Sequence, residues 1–272
     1  MTNSKKIKIV ASIIIGLIAL YKQYYSGSES TNTLTAHTTE EIIKSNNPFN
    51  YLPTSTTGQI IKHNGYNLSY SEPHEQAEWV AYTLNKSDIQ QIDRKRPYFI
   101  EDPKVKTKSA SYRNYKKSGY DKGHLCPAAD KRYTKEAHDE TFYTSNISPQ
   151  NHPFNAGVWN RLEQKTRYWA KKYNHLYVVT GGVLKGNLKT IGSEKVSVPN
   201  LFYKVLLDYT QPEIKAIAFL MPHKESKRPL YDFVVSIDEL EQKTGINFFP
   251  ELPDLIENKL EATSSYKNWA FR

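Results

Sequence analysis

From Asn50 onward the chain alternates between two spacings of apolar residues. Short runs rich in Tyr, Val and Trp, at 66–72 (YNLSYSE) and 78–85 (EWVAYTLN), predict strands. The β-branched runs at 175–182 (HLYVVTGG) and 214–222 (IKAIAFLMP) end at Gly or Pro and predict buried strands, and 196–209 (VSVPNLFYKVLLDY) predicts one or two more. Between these blocks, residues 152–174 place Val158, Leu162 and Trp169 on one stripe, the mark of a helix that Pro153 helps to start. Ser236 with Glu239 forms a capping box for a helix running to Thr244, and Gly245 stops it. Residues 86–123 show no period and are rich in lysine and arginine. Strands in clusters with helices laid on them predict an α+β domain.

The first 49 residues follow a different pattern. Lys5, Lys6 and Lys8 precede an uncharged run from Ile9 to Tyr21, the layout of an export signal or signal-anchor. The run is short for a free-standing span of about 20 residues. This assigns 1–25 to a signal peptide or anchor, cleaved or uncleaved, and predicts an extracytoplasmic protein, secreted or held at a membrane. Residues 26–49, rich in Ser, Thr and Asn, are read as a polar linker, and 50–272 as the domain.

Composition sharpens this. With 38% apolar and 12% aromatic residues, a chain of 272 residues fills a real core. The formal charge is +9, and residues 1–50 hold five lysines against three glutamates, so the domain itself carries about +7. Such an excess favours polyanions. A single cysteine, Cys126, excludes an internal disulfide and a Cys-based zinc cluster, and is read as a small buried hydrophobe.

Two windows carry chemistry. In GYDKGHLCPA (119–128), His124 is suited to take a proton near neutral pH. In SNISPQNHPFNAGVWNRLEQ (145–164), Asn155 lies near a helix start and Glu163 eight residues on, in an ideal helix about 80° around and about 12 Å along. Both cannot touch one ion directly from one regular helix. Either Asn155 lies at a bend before the helix or Glu163 reaches the ion through water, an arrangement that magnesium accepts. The plain alternatives are a helix cap for Asn155 and an exposed partner of Arg167 for Glu163. His138, His152, His175 and His223 lack ligand spacing; His152, near Asn155, is the least easily set aside.

Together the windows resemble the DNA/RNA non-specific endonucleases of the ββα-metal superfamily, including the endonuclease G type. That family's Asp-Arg-Gly-His is matched by Asp121-Lys122-Gly123-His124, and its Asn-x-Gly-x-Trp-x-x-Leu-Glu by the run from Asn155 to Glu163. The likeness covers roughly 60–252 and implies a central, mostly antiparallel sheet flanked by helices. It further implies that His124 is a general base activating water, that Asn155 is the direct protein ligand of a divalent ion, Mg²⁺ or else Mn²⁺, and that Glu163 holds the ion's waters. An arginine from the basic segment is implied at the scissile phosphate, with Arg94 preferred to Arg96. Asn146 is similar to a family asparagine lining the site, and Arg167 to a basic residue on the metal-side helix. Lys122 replaces the family's usual arginine and gives up bidentate grip on phosphate.

The implied activity is hydrolysis of DNA and RNA without sequence preference, leaving 5′-phosphate ends, with a homodimer left open and a membrane as partner if the N-terminus is uncleaved. Two rivals stand beside it: a nucleic-acid binder of the same fold that has lost turnover, and a hydrolase of non-nucleic phosphodiesters.

Overall fold

The computed structural model describes residues 50–210 and 212–271, so the readings of 1–25 and of 26–49 lie outside the described residues. In chain order the elements are β1 (Ile60–Lys62), β2 (Asn67–Ser71), β3 (Gln76–Asn85), β4 (Asp121–His124), α1 (Lys135–Glu140), β5 (Ile147–Gln150), a π-helical turn (Phe154–Trp159), α2 (Asn160–Tyr173), β6 (His175–Gly182), β7 (Lys189–Ile191), β8 (Val196–Val198), β9 (Leu201–Asp208), β10 (Lys215–Pro222), β11 (Val234–Val235), α3 (Ile237–Thr244) and α4 (Asp254–Glu261). Seven strands form one antiparallel sheet in the order β1-β2-β3-β6-β9-β10-β11. Two small ribbons, β4 with β5 and β7 with β8, stand apart from it.

The central strands are buried on both faces, which is why their sequences read as continuous apolar runs rather than alternating ones. Tyr82, Phe202 and Phe219 from the sheet meet Trp159 and Trp169 in one core. The helix α2 lays Leu162, Thr166, Trp169 and Ala170 inward, and burying Leu162 alone contributes roughly 1.5–3 kcal/mol. The helix α3 begins at Ser236, whose hydroxyl accepts from the Glu239 amide, and ends at Gly245 with φ +76°, a left-handed conformation that a side chain would oppose.

One predicted helix is observed in two parts. Backbone angles at Gly157 (φ −98°, ψ −108°) interrupt the run that starts after Pro153, leaving Asn155 in the π-helical turn and starting α2 at Asn160. A second feature organises the site. Strands β3 and β6 are neighbours, with Asn85 opposite His175, yet residues 86–174 lie between them. That excursion leaves the sheet, builds β4, β5, α1 and α2, and returns to the next strand over.

Candidate active site

The ribbon of β4 and β5 pairs His124 with Ile147 and Gly123 with Ser148. A Cβ on Gly123 would fall 2.2 Å from the Gln150 side chain, so only glycine lets the two strands close at this point. His124 follows, half-buried, with its ring 5.6 Å from that of Phe99 and edge-on to Phe142 at 5.0 Å. Its Nε2 is buried without a hydrogen-bond partner among the described residues. Burial first, then the nearby positive charges of Arg96 and His138, push its pKa down to about 3. The ring is therefore neutral at physiological pH, the state a proton acceptor needs.

Three residues earlier on the same strand, Asp121 reaches the other window. Its Oδ2 accepts from Asn155 Nδ2 at 3.0 Å and lies 2.9 Å from His152 Nδ1. Because the Asn155 amide nitrogen is committed to a carboxylate, the amide orientation is settled and Oδ1 remains as an acceptor. Glu163, half-buried on the first turn of α2, is pushed up to about 7 by burial and by Asp130, against the positive charges of Lys204 and Arg167. The oxygens of Asn155 and Glu163 are the hard donors that a Mg²⁺-like cation takes, so the residues present fit the divalent ion that the sequence implies. Asn155 lies before the regular helix, which is the first of the two geometries left open by the spacing.

The remaining predicted residues separate. Arg94 donates through Nε to the Arg132 carbonyl at 2.6 Å, whereas Arg96 lies over Phe99 (5.2 Å) and Phe142 (5.5 Å), the two rings that hold His124. Lys122 Nζ lies 5.4 Å from the Phe99 ring centre. Arg94, Arg96 and Lys122 all line a groove of about 1210 Å³ together with Lys135, Tyr112 and Tyr98, the last 92% exposed. Arg167 is tied to buried Asp130 at 2.8 Å, and Tyr82 donates to the other oxygen of that carboxylate at 3.0 Å.

Asn146 is a correction. It is fully buried, its Nδ2 donates to the Cys126 and Thr141 carbonyls, both at 2.9 Å, and its Oδ1 accepts from the Cys126 amide at 2.8 Å. With its hydrogen bonds spent on the backbone, it braces the loop after His124 rather than meeting substrate. Cys126 is buried, as its reading required. His138 is buried, His175 bonds Asn85, and His223 bridges the Asn151 amide and the Pro199 carbonyl, so these three have structural partners.

Two residues escaped the sequence reading. Asp121 was quoted only as a letter of the motif, yet it orients Asn155. Lys204, in the middle of β9, is fully buried with Nζ 5.0 Å from the Trp159 ring centre and no hydrogen-bond partner among the described residues. Its charge lies beside Glu163 and Asp130. A lysine inside an otherwise apolar strand was the available signal.

Comparison with known proteins bears out the family that the two windows resemble. The family model described as DNA/RNA non-specific endonuclease matches residues 43–255. The zebrafish mitochondrial nuclease EXOG is 37% identical over 202 residues, covering 68% of this chain and 59% of that protein, so the chain spans less than two thirds of that relative. Human mitochondrial endonuclease G is 33% identical, covering 71% of this chain and 70% of that protein. In the crystal structure of the EndoG/EndoGI complex, the matched chain is 28% identical with a TM-score of 0.69, covering 73% of this chain and 88% of its own length. The sheet and helices described above thus belong to the ββα-metal nuclease class.

These relatives overturn one expectation. The N-terminal run predicted an extracytoplasmic protein, secreted or membrane-anchored, whereas the zebrafish and human relatives, and a yeast protein 32% identical, are named mitochondrial nucleases. The Lys-plus-apolar pattern that prompted the prediction is short and shared by several kinds of targeting segment. Among the described residues no helix is long and apolar enough to cross a membrane.

Proposed function

The chain belongs to the DNA/RNA non-specific endonuclease family, and from that premise we propose that its 50–272 domain hydrolyses phosphodiester bonds of both DNA and RNA, leaving 5′-phosphate ends. The observation that carries this is the pinning of Asn155 by Asp121 on the very strand that presents His124. Asn155 Oδ1 would hold a divalent cation, Mg²⁺ or Mn²⁺, with Glu163 acting through water, and such a cation would supply positive charge to the phosphate being cleaved.

The protein's own groups do the rest. His124, neutral and held between two aromatic rings, accepts the proton of the attacking water. Arg96 and Lys122, beside the same Phe99 ring, bring positive charge to the phosphate as its negative charge builds. Arg96, whose charge is felt at His124, fits that place better than Arg94, which serves the groove wall. The groove carries five basic residues against two acidic ones, so it follows the phosphate backbone and gives no base preference.

The direct test is incubation of the chain with supercoiled plasmid and with single-stranded RNA, in Mg²⁺ or in EDTA. Degradation of both substrates in Mg²⁺ and of neither in EDTA is expected. Binding without cleavage in Mg²⁺, and equally when Mn²⁺ replaces it, would replace this reading with that of an inactive binder.

A second measurement concerns protonation. With its pKa lowered to about 3, the His124 ring is expected to show no titration by NMR between pH 8 and pH 5, and a midpoint near 6.5 would contradict its burial. The unfolded chain protonates this histidine near pH 6.5 and the folded chain only near 3, so its contribution to stability is complete above 6.5 and is lost as pH falls through that window.

A further inference from the structure

Away from the groove, α3 and α4 bring three carboxylates together. Asp238 and Glu241 lie three residues apart on α3, Glu261 ends α4, and one oxygen from each lies within 4.8 Å of the other two. Residues 237–261 carry seven acidic side chains against two lysines, in a chain whose net charge is +9. Like charges gathered in this way oppose one another unless something compensates.

Among the described residues no cationic side chain supplies the compensation: no lysine or arginine pairs with any of the three, and Lys243 on α3 turns to Glu239 at 3.7 Å instead. Glu241 accepts one hydrogen bond, from the Phe248 amide at 2.7 Å. Glu261 is the telling group. It is only 9% exposed, it is directed at the other two carboxylates, and its Oε1 is buried with no hydrogen-bond partner among the described residues. A buried carboxylate oxygen left unpaired is costly, and structures rarely retain one without a partner.

We propose that Asp238, Glu241 and Glu261 form a second cation site, for Ca²⁺, which fastens α4 to α3. The donors are all carboxylate oxygens, as hard cations require, and the exposed side at Asp238 leaves room for water to complete a large, irregular coordination shell, which Ca²⁺ accepts and Mg²⁺ does not. None of the three lines the groove or belongs to the catalytic set, so the site stands or falls independently of the nuclease reading.

The test is thermal unfolding of the full chain carrying Asn155→Ala, which removes the other ion ligand, with and without CaCl₂. A midpoint rise of about 5–10 °C at a hundredfold excess over Kd is expected, together with its loss when Glu261→Gln or Asp238→Asn is added. Absence of any rise would overturn the proposal. So would a rise that survives Asp238→Asn, an exposed change that leaves packing intact even if Glu261→Gln misfolds.

Discussion

Replacing His124 with alanine is expected to lower kcat on plasmid DNA by about 10²–10⁴-fold, the range that a positioned general base supplies, while leaving the affinity for DNA within a few-fold of wild type. Affinity rests on Arg96, Lys122 and their neighbours along the groove, none of which touches the substrate through the imidazole. The substitution also leaves a space between Phe99 and Phe142, whose ring centres lie 5.6 and 5.0 Å from that of His124. Added imidazole should occupy that space and restore part of the rate, which a folding defect would not permit. A kcat within tenfold of wild type would remove His124 from the role of base.

Asn155→Ala is expected to cost more than about 100-fold in kcat/KM at a fixed, low Mg²⁺ concentration, with partial recovery as the ion is raised. Partners that orient a metal ligand are typically worth about 10–100-fold, and Asp121 holds that position toward Asn155. Removing the ligand oxygen itself must therefore exceed the loss in Asp121→Ala. Initial rates against Mg²⁺ concentration for both variants would check this, and a larger loss in Asp121→Ala than in Asn155→Ala would show that the ion is held elsewhere.

Local patterns carried much of the architecture. The bounds of β6 are those expected from its apolar run, and the cap of α3 at Ser236 and its stop at Gly245 are where the capping box put them. Short pieces were not legible: β4, with four residues, and β7, with three, are too brief for a period to declare itself. The interruption at Gly157 left no mark in the apolar pattern, because the spacing continues across it from Phe154 to Val158 and Leu162, and only the ligand geometry hinted at a bend near Asn155.

At the site the same division holds. His124, Asn155 and Glu163 stood out through linked motifs, but what each side chain touches depends on partners distant in sequence. Asp121 and Asn155 are 34 residues apart, and Lys204, on β9 of the sheet, acts electrostatically on Glu163 of the helix α2. Asn146 shows the opposite limit. A polar residue beside a motif looks the same in sequence whether it faces the groove or, as here, saturates its amide inside a loop.

The excursion of residues 86–174 has a further meaning for how such enzymes can be rebuilt. Every residue assigned to water activation, to the catalytic ion or to phosphate contact lies within it, and its two ends are joined by one rung of the ladder, Asn85 opposite His175, where the His175 ring also bonds the Asn85 side chain at 2.7 Å. The segment is therefore an insertion with matched ends, which adds the site without altering the order of the seven strands. Its ties to the host include Lys204 on β9, beside Glu163, so moving the segment into a scaffold that lacks this lysine is expected to leave Glu163 with Arg167 as its remaining counter-charge.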